Sequence, residues 1–386
     1  MKKRKIIALT GIRSEYDIMS SVFSAINNSP LLDLQLVVTG AHLSKEHGYT
    51  VNEIKKDGHN IAYEIQSLVK KKTLSSRLHG LGTQLQGLAK IISKLNPDIL
   101  LVLGDREESI AIALAGSYLN IAVAHIGGGD RVVGNIDDQI RHAVTKLSHI
   151  HFTTNFESHA RIISLGEQPF RVFNVGNPGL DRMVNTKKIK LNTLSKLLGF
   201  PLLDKEPYII LIQHPLSSEY HLAYEQMKIT LNALSDLGLQ VIIIYPNSDA
   251  GSEQIIKAIK EFKEQPNFFI SKNLPRTEFV NLLRNASCLV GNSSAGILEA
   301  PLLKLPVVNI GNRQIGRMHS TNIQFVTHEH KKILIAIKKA IYNQSYIKTV
   351  KGCKNPYGNG DSSYKIAKIL SKIKLNKKLL IKDITY

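Results

Sequence analysis

Short apolar runs rich in isoleucine, valine and leucine recur along the whole chain, and longer segments with helical spacing separate them. Such runs are typical of parallel strands buried on both faces, and the segments between them predict connecting helices. The first series of predicted strands covers residues 5–11, 34–40, 99–104, 121–126, 149–153 and 171–176. The second series covers residues 208–213, 240–245, 268–271, 288–291, 307–310 and 323–326. Two such series predict an α/β chain with two doubly wound, Rossmann-like domains.

The length of 386 residues also favours two domains, because one hydrophobic core rarely grows this large. A turn-forming Asn-Pro-Gly sequence at 177–179 separates the two series of strands. We expect an N-terminal domain over 1–178 and a nucleotide-binding C-terminal domain over 179–360, with the ligand in the cleft between them. We further expect a helix over 364–373, capped by residues 361–363, in a basic tail (361–386) that packs back on the first domain.

The formal net charge of +19 raises the question of a nucleic-acid partner. Aromatic residues make up only 6% of the chain and tryptophan is absent, so side chains that stack on bases are scarce. Much of the lysine excess lies at 70–72 and in the tail at 365–382. We interpret the charge as a solvated lysine-rich surface, with an acidic ligand as the alternative, and expect no nucleic-acid partner.

Two cysteines, Cys288 and Cys353, are too few for a disulfide framework or a cysteine metal site. The N-terminal residues lack a signal-peptide pattern, and no apolar run has the length of a membrane helix. We therefore expect a cytoplasmic protein that does not insert into a membrane. The sequence also lacks a Gly-x-Gly-x-x-Gly fingerprint, a P-loop and metal-ligand spacing, so we expect neither a cofactor nor a metal.

Polar residues follow many of the predicted strands, and open parallel sheets bind ligands at these carboxyl ends. In the first half these residues are Arg13, Asp105, Arg106, His125 and Asp130. In the second half they are His214, Asn247, Ser293 and Ser294. A purely structural α/β domain does not need charges at so many strand ends, although any single one can cap a helix.

The segment 291–299 reads Gly-Asn-Ser-Ser-Ala-Gly-Ile-Leu-Glu, a strand that leads through small residues into a helix. Backbone N–H groups at such a helix start, with the hydroxyls of Ser293 and Ser294, are suited to bind a diphosphate. Glu299 lies one helical turn further on, where it can accept hydrogen bonds from ribose hydroxyls. Arg13, Arg106 and Arg313 are candidate donors to phosphate oxygens. Serine capping and surface arginines are the alternatives.

The segment 137–146 forms a second candidate cluster. Helical spacing places Asp137 beside Arg141 and Asp138 beside His142. Local stabilisation of the helix explains these pairs equally well. Further carboxylates at neighbouring strand ends favour a catalytic role, because carboxyls that share a cleft can divide acid and base functions. His214 is placed to contact a leaving phosphate or a sugar, unless it is a buried structural histidine.

Several motifs together resemble one known family, the hydrolysing UDP-N-acetylglucosamine 2-epimerases of sialic and legionaminic acid pathways, which have the glycosyltransferase-B fold. The resemblance runs almost end to end. It is carried by Gly-Ile-Arg-Ser-Glu-Tyr at 11–16, Gly-Ala-His-Leu-Ser at 40–44, Gly-Asp-Arg-Glu at 104–107, the segment 136–149, Gln-His-Pro at 213–215, Tyr-Pro-Asn-Ser-Asp-Ala-Gly at 245–251, the segment 291–299 and Asn-Pro-Tyr-Gly at 355–358.

The resemblance implies a UDP-linked amino sugar as substrate, elimination of UDP to a glycal, addition of water at carbon 1 and reprotonation of carbon 2 from the opposite face. Carried over by position, Asp105 and Asp137 are the acid/base carboxylates, and His214 acts with them. The resemblance implies that the remaining motif residues support the pocket or bind substrate: Arg13, Arg106, His125, Gly129, Asp138, Arg141, His142, Asn247, Ser293, Ser294, Glu299 and Arg313. Family members are commonly dimers or tetramers, so we expect a homo-oligomer.

One position departs from the family pattern. The family has a glutamate two residues after the strand-end histidine, where this chain has Gly127, and the nearest carboxylate that follows is Asp130. The loop before Asp137 is also one residue longer than usual. We expect Asp130 to replace the missing glutamate in part, and the extra room to admit a 4-acetamido, 6-deoxy sugar such as UDP-diacetamidobacillosamine or a GDP-linked version.

Three other functions are compatible with these patterns. A non-hydrolysing epimerase returns UDP to the glycal, and a glycosyltransferase of the same fold shares the diphosphate site but needs an acceptor. The net charge of +19 also fits a protein that binds nucleic acid or an anionic surface.

Overall fold

The computed structural model describes residues 3–69, 74–131, 136–202, 206–247, 249–383 and 385. The lysine run at 70–72 and most of the loop before Asp137 lie outside the described residues. The chain forms two compact units, of which the first comprises Met1–Val184 with Tyr357–Tyr386 and the second comprises Asn185–Pro356. The first unit thus continues beyond the expected boundary at residue 178, through most of the helix Gly179–Asn185.

The described residues of the first unit form a parallel sheet of seven strands in the order β3-β2-β1-β4-β5-β6-β7. The strands are β1 (Arg4–Thr10), β2 (Leu32–Thr39), β3 (Ile61–Ile65), β4 (Ile99–Leu103), β5 (Ala122–Ile126), β6 (Ile150–Thr153) and β7 (Val172–Asn174). The helices are α1 (Arg13–Asn27), α2 (Val51–Lys56), α3 (Leu74–Leu95), α4 (Glu107–Tyr118), α5 (Ile136–Leu147), α6 (Phe156–Ser164) and α7 (Gly179–Asn185). Apolar side chains such as Ile6 on one face and Ile7 on the other bury both faces of the sheet.

The described residues of the second unit form a parallel sheet of six strands in the order β10-β9-β8-β11-β12-β13. The strands are β8 (Tyr208–Ile212), β9 (Gln240–Ile244), β10 (Phe268–Ser271), β11 (Cys288–Gly291), β12 (Val307–Ile310) and β13 (Ile323–Val326). The helices are α8 (Leu191–Leu198), α9 (Ala223–Ser235), α10 (Ser252–Glu261), α11 (Arg276–Asn285), α12 (Ala295–Leu298), α13 (Ala300–Leu303), α14 (His330–Tyr342) and α15 (Gln344–Gly352).

The topology confirms the predicted α/β class with two doubly wound sheets. Every predicted strand is present, with ends that shift by at most a few residues. The sequence patterns did not predict β3, an edge strand in which only Ile65 is fully buried. An edge strand with so little apolar surface lacks the continuous apolar run that identified the others.

The strand order reverses between β1 and β4 in the first sheet and between β8 and β11 in the second. Ligands of open α/β sheets bind at these switch points, outside the carboxyl ends of the strands. Glycine lets the chain segments approach closely at both places. A Cβ atom on Gly11 would lie 1.9 Å from the Glu108 carboxylate, and one on Gly291 would lie 2.1 Å from the Ile212 carbonyl oxygen.

The last two helices, α16 (Ser362–Lys372) and α17 (Lys377–Leu380), belong to the first unit, where α16 packs against α1. The predicted local cap of α16 is wrong in one respect, because Asp361 makes no side-chain capping bond. The buried carboxylate of Asp181 in α7 accepts hydrogen bonds from the backbone N–H groups of Ser362 and Ser363 instead. A helix start is therefore capped from a position far away in the sequence.

Among the helices that the structure describes, none combines the length and the apolar composition needed to cross a bilayer.

We expect Asp181→Ala to lower the free energy of unfolding of the first unit by about 2 kcal/mol, because buried N–H groups lose their acceptor. The matched control is Asp361→Ala, which removes an exposed carboxylate that pairs with Lys365, and it should change the free energy of unfolding by less than about 0.5 kcal/mol. Urea denaturation of both variants measures the difference. A larger loss from Asp361→Ala than from Asp181→Ala would contradict the capping role.

Candidate active site

A cavity of about 260 Å³ lies at the switch point of the first sheet, at the carboxyl ends of β1 and β4. Its lining includes three carboxylates and two arginines next to a glycine: Glu15, Asp105, Asp130, Arg106, Arg141 and Gly127. A larger cavity of about 550 Å³, whose lining includes Leu68, Val69 and Arg77, shares Arg106 with it. Two of the predicted acid/base groups, Asp105 and Asp130, line the smaller cavity, whereas Asp137 is not among its lining residues.

Asp105 follows β4 and forms an ion pair with Arg141 of α5. The Arg141 guanidinium, which is only 8% exposed, also donates a 2.7 Å hydrogen bond to the carbonyl oxygen of Gly127. Burial raises the pKa of the Asp105 carboxyl, the charge of Arg141 opposes this rise, and the nearby negative charge of Asp137 adds to it. Asp105 is thus a fixed carboxylate that accepts a proton more readily than an exposed aspartate does.

Glu15 of α1 is the second carboxyl in the cavity, and the site predictions did not include it. It accepts a 3.2 Å hydrogen bond from the Gly11 N–H. Burial raises the pKa of the Glu15 carboxyl, the charge of Glu108 raises it further, and Arg106 partly offsets both. A carboxyl in this environment retains its proton at higher pH than an exposed glutamate.

Arg106 is held by glutamates on three sides. Its guanidinium lies 3.3 Å from Glu108, 3.6 Å from Glu107 and 4.0 Å from Glu15. In the first unit the Arg106 guanidinium thus contacts acidic side chains, and its role as a donor to phosphate oxygens stays a prediction. Arg106 keeps several carboxylates together at the end of β4.

Asp130 lines the same cavity, and one of its oxygens accepts 2.6 Å hydrogen bonds from the hydroxyls of Thr154 and Ser158. Its other oxygen lies 3.7 Å from the point that a Cβ atom on Gly127 would occupy. The carboxylate of Asp130 therefore lies beside the position at which the family has a glutamate side chain.

His125 and Gly129 are among the predicted substrate-binding residues that do not line the cavity. His125 is fully buried, with its Nε2 2.8 Å from the Gly104 carbonyl oxygen and its Nδ1 3.3 Å from the Thr145 hydroxyl. Burial lowers the pKa of His125 to about 3, so the ring is neutral. Gly129 packs against α6, where an added Cβ atom would lie 2.4 Å from the Ser158 carbonyl oxygen. Both residues support the backbone of the strand ends.

The start of α5 contains the predicted pairs only in part. His142 lies 3.6 Å from the Asp138 carboxylate, as helical spacing predicts. Asp137 lies 3.9 Å from Arg77 of α3, whereas Arg141 is directed to Asp105. Helical spacing gives the local neighbours, but a carboxylate on another element can compete for an arginine.

Arg13 lies at the start of α1 and is more than half exposed. It forms a 3.3 Å ion pair with Glu53 of α2 and does not line the 260 Å³ cavity. The structure of the first unit therefore does not bring Arg13 together with Asp105.

In the second unit, His214 follows β8 at the switch point. Its Nδ1 accepts a 3.0 Å hydrogen bond from the Asn247 N–H, so the neutral ring carries its proton on Nε2. Burial lowers the pKa of His214 to about 4, and the charge of Arg313 contributes to the decrease. His214 is thus a neutral hydrogen-bond donor over most of the pH range in which enzymes work.

The side-chain amide of Asn292 joins two parts of the candidate anion site. It accepts a 2.7 Å hydrogen bond from the backbone N–H of His214 and donates one of 2.9 Å to the backbone carbonyl oxygen of the same residue. The carbonyl oxygen of Asn292 in turn accepts a 3.2 Å hydrogen bond from Arg313. The ends of β8 and β11 and the Arg313 loop are thereby held together.

The helix expected after Ser293 and Ser294 is shorter than predicted. The segment α12 contains only four residues, and Pro301, which lacks an N–H, lies in the first turn of the short helix α13. A helix this short adds little dipole, so the N–H groups and Arg313, and not the helix dipole, are the features here that suit an anion. Glu299 lies between α12 and α13 and accepts a 3.1 Å hydrogen bond from Arg276.

The residues missed at sequence level share one property. Glu15, Glu107 and Asn292 lie within or beside motifs already noted, but each acts through a partner on another element. A carboxylate in the motif at 11–16 was the available signal for Glu15.

Comparison with known proteins identifies the family. The family model described as UDP-N-acetylglucosamine 2-epimerase matches residues 24–371. The chain is 37% identical over 384 residues to UDP-N,N'-diacetylbacillosamine 2-epimerase (hydrolyzing) of Legionella pneumophila. The aligned residues cover 99% of this chain and 100% of that protein. The chain is 33% identical to GDP/UDP-N,N'-diacetylbacillosamine 2-epimerase (hydrolyzing) of Campylobacter jejuni, with 84% of each covered. The chain therefore belongs to the UDP-N-acetylglucosamine 2-epimerase family, as the motifs predicted.

A solved structure supports the fold assignment independently. UDP-GlcNAc 2-epimerase of Neisseria meningitidis, solved bound to UDP-GlcNAc, superposes with a TM-score of 0.78 at 20% identity and covers 96% of this chain and 100% of that one. The glycosyltransferase-B-like class that the resemblance implied is confirmed.

We expect the His214 ring to gain its proton only near pH 4, because burial and the Arg313 charge both disfavour the imidazolium. In Arg313→Gln the pKa of His214 should rise, since a positive charge is removed, and remain below that of an exposed histidine because burial persists. NMR titration of the imidazole measures both values. Titration of wild-type His214 at or above the ordinary histidine pKa would contradict this environment.

Proposed function

We propose that this protein is a hydrolysing 2-epimerase that converts a UDP-linked 2-acetamido sugar to the free manno-configured sugar and UDP. The observation that carries the proposal is the cavity at the first switch point, where three carboxyls in different environments surround one space. Epimerisation at carbon 2 through a glycal needs groups that remove and return a proton, and carboxyls with separated proton affinities are suited to that task.

In the proposed reaction a carboxylate removes the proton from carbon 2 while the bond between carbon 1 and the UDP oxygen breaks. UDP leaves with the bonding electrons, and the double bond of the glycal forms between carbons 1 and 2. Water then adds its oxygen to carbon 1 and loses a proton to a carboxylate. A carboxylic acid on the opposite face protonates carbon 2, which inverts its configuration.

We assign the acid/base roles to Asp105 and Asp137, with Asp130 in place of the family glutamate. The pKa of Asp105, raised by burial, supports its role as a base that holds the transferred proton. The Asp130 oxygen beside Gly127 supports the replacement, because it occupies the region that a longer side chain from position 127 would enter. Glu15 supplies a further proton in the same cavity.

We assign UDP to the second unit. Arg313 provides positive charge at the end of β11, and His214 provides an N–H donor from its neutral ring. The backbone N–H groups of Ser293 and Ser294 have no acceptor within the described part of the chain. Free N–H groups beside an arginine are suited to a diphosphate.

We propose that the sugar carries an acetamido group at carbon 4 and no oxygen at carbon 6. Two relatives, of 37% and 33% identity, have names that specify diacetylbacillosamine. A Cβ atom on Gly127 would already be in van der Waals contact with Arg141 at 3.6 Å and with Asp130 at 3.7 Å. The proposed substituents therefore rest on these two relatives and not on extra space at Gly127.

We expect purified protein with UDP-diacetamidobacillosamine and water to release one UDP per free manno-configured sugar, with UDP-GlcNAc and the GDP-linked sugars turned over more slowly. NMR of the products identifies them, because the sugar loses its coupling to phosphorus when UDP leaves. A UDP-linked epimer as the product would indicate the non-hydrolysing reaction, and turnover only with an added acceptor would indicate a glycosyltransferase.

We expect Asp105→Asn and Asp130→Asn each to lower kcat about a hundredfold, because an amide cannot accept the transferred proton. The matched control is Asp33→Asn. Asp33 lies near the amino end of β2, whereas the cavity lies at the carboxyl ends of the strands, so this variant should keep wild-type turnover. Steady-state kinetics on the three variants measures this. Near-normal turnover by Asp130→Asn would remove Asp130 from the proton inventory.

A further inference from the structure

Helix α5 contains four of the residues assigned to the site, Asp137, Asp138, Arg141 and His142, in its first two turns. Its other end lies at Leu147, where the last carbonyl groups of a helix have no partner within the helix. The position of the site residues therefore depends on what holds this second end.

A lysine from the C-terminal segment provides that contact. The ammonium of Lys382 donates to the carbonyl oxygens of Lys146 and Ser148 at 2.6 Å and lies 3.3 Å from that of Thr145. It also lies 2.9 Å from the buried carboxylate of Glu167. A cation at a helix C-terminus is favoured both by these carbonyl groups and by the helix dipole.

We propose that Lys382 is a positioning residue for the epimerase reaction, which fixes helix α5 by capping its C-terminal end and thereby places Arg141 and Asp105. This inference rests on the proposed function for its kinetic consequence, whereas the cap itself stands on the contacts of Lys382.

The segment that contains Lys382 is itself held in place. Arg171, which is 1% exposed, donates to the carbonyl oxygens of Leu379 at 2.8 Å and Ile381 at 3.0 Å. The Glu167 carboxylate is shared with Lys146 at 2.8 Å and with His151 at 3.1 Å. The Lys382 ammonium is therefore anchored through its backbone and through its counterion.

A continuous set of contacts leads from this cap to the cavity. Thr145, whose carbonyl lies beside Lys382, approaches the His125 Nδ1 with its hydroxyl, and the His125 Nε2 contacts the Gly104 carbonyl. Asp105 comes next in the chain and pairs with Arg141 of the same helix. Movement of the end of α5 would thus act on the Asp105 carboxylate from two sides.

The charge on Lys382 gives the proposal a pH signature. Burial lowers the pKa of Lys382 to about 8, while Glu167 opposes the decrease and the charges of Lys146 and Arg171 add to it. His149 and His151, whose own pKa values burial lowers to about 4, also face Lys382 but are neutral there. The ammonium is present below its pKa and lost above it, so the cap weakens as the pH rises through about 8.

The test uses the full chain with Lys382→Met, which keeps the length of the side chain but not its charge, and Lys382→Arg, which keeps the charge at higher pH. The matched control is Lys377→Met, which changes an exposed lysine at the start of α17. Each variant is compared by kcat and KM as functions of pH, and by hydrogen–deuterium exchange of the α5 amides.

We expect Lys382→Met to lower kcat about tenfold with little change in KM, since it displaces catalytic groups but not the nucleotide contacts. In Lys382→Met we also expect that kcat no longer decreases near pH 8 and that the α5 amides exchange faster than in wild type. In Lys382→Arg the decrease of kcat should shift to higher pH. Lys377→Met should match wild type in all of these measurements. Unchanged kcat, pH profile and α5 exchange in Lys382→Met would overturn the proposal. If the wild-type protein does not turn over sugar nucleotides, the proposed function fails, and the exchange measurement alone decides the role of Lys382.

Discussion

One buried guanidinium organises the candidate acid/base site. Arg141 joins the end of β4 through Asp105, the end of β5 through the Gly127 carbonyl, and its own helix α5. Removing one partner from a buried pair of this kind costs about 3–5 kcal/mol, because the other charge is left uncompensated. Asp105 therefore cannot leave its position without a large free-energy cost, and the neighbouring carboxyls are arranged around a fixed point.

The two units carry different chemistry at equivalent places in their sheets. The first switch point holds carboxyls whose pKa values are raised by burial, as for Glu15 and Asp105. The second holds a neutral histidine, His214, and the positively charged Arg313, which donates a hydrogen bond to the backbone carbonyl oxygen of Asn292. Groups of the first kind exchange protons, and groups of the second kind bind an anion without taking its charge. This division supports the assignment of the sugar to one unit and UDP to the other.

The sequence predicted what depends on local pattern. Buried parallel strands leave continuous apolar runs, so the strands themselves and the position of Asp105, Asp130 and His214 after their carboxyl ends could be predicted. What it did not predict depends on contacts between distant elements. The edge strand β3 lacks an apolar run, and the cap of α16 comes from Asp181 across a long separation in sequence. The partners of Arg106 could not be predicted either, since three glutamates compete for it in space.

In the proposed reaction, carboxyls in the first unit remove and return the proton on carbon 2. The most direct test is turnover of the UDP-linked sugar in deuterium oxide, followed by NMR of the free sugar. We expect one deuterium at carbon 2 of every product molecule, because the carboxyls exchange their protons with the solvent before the glycal is protonated. Product that retains the original hydrogen at carbon 2 would contradict it, since release of UDP would then proceed without proton abstraction.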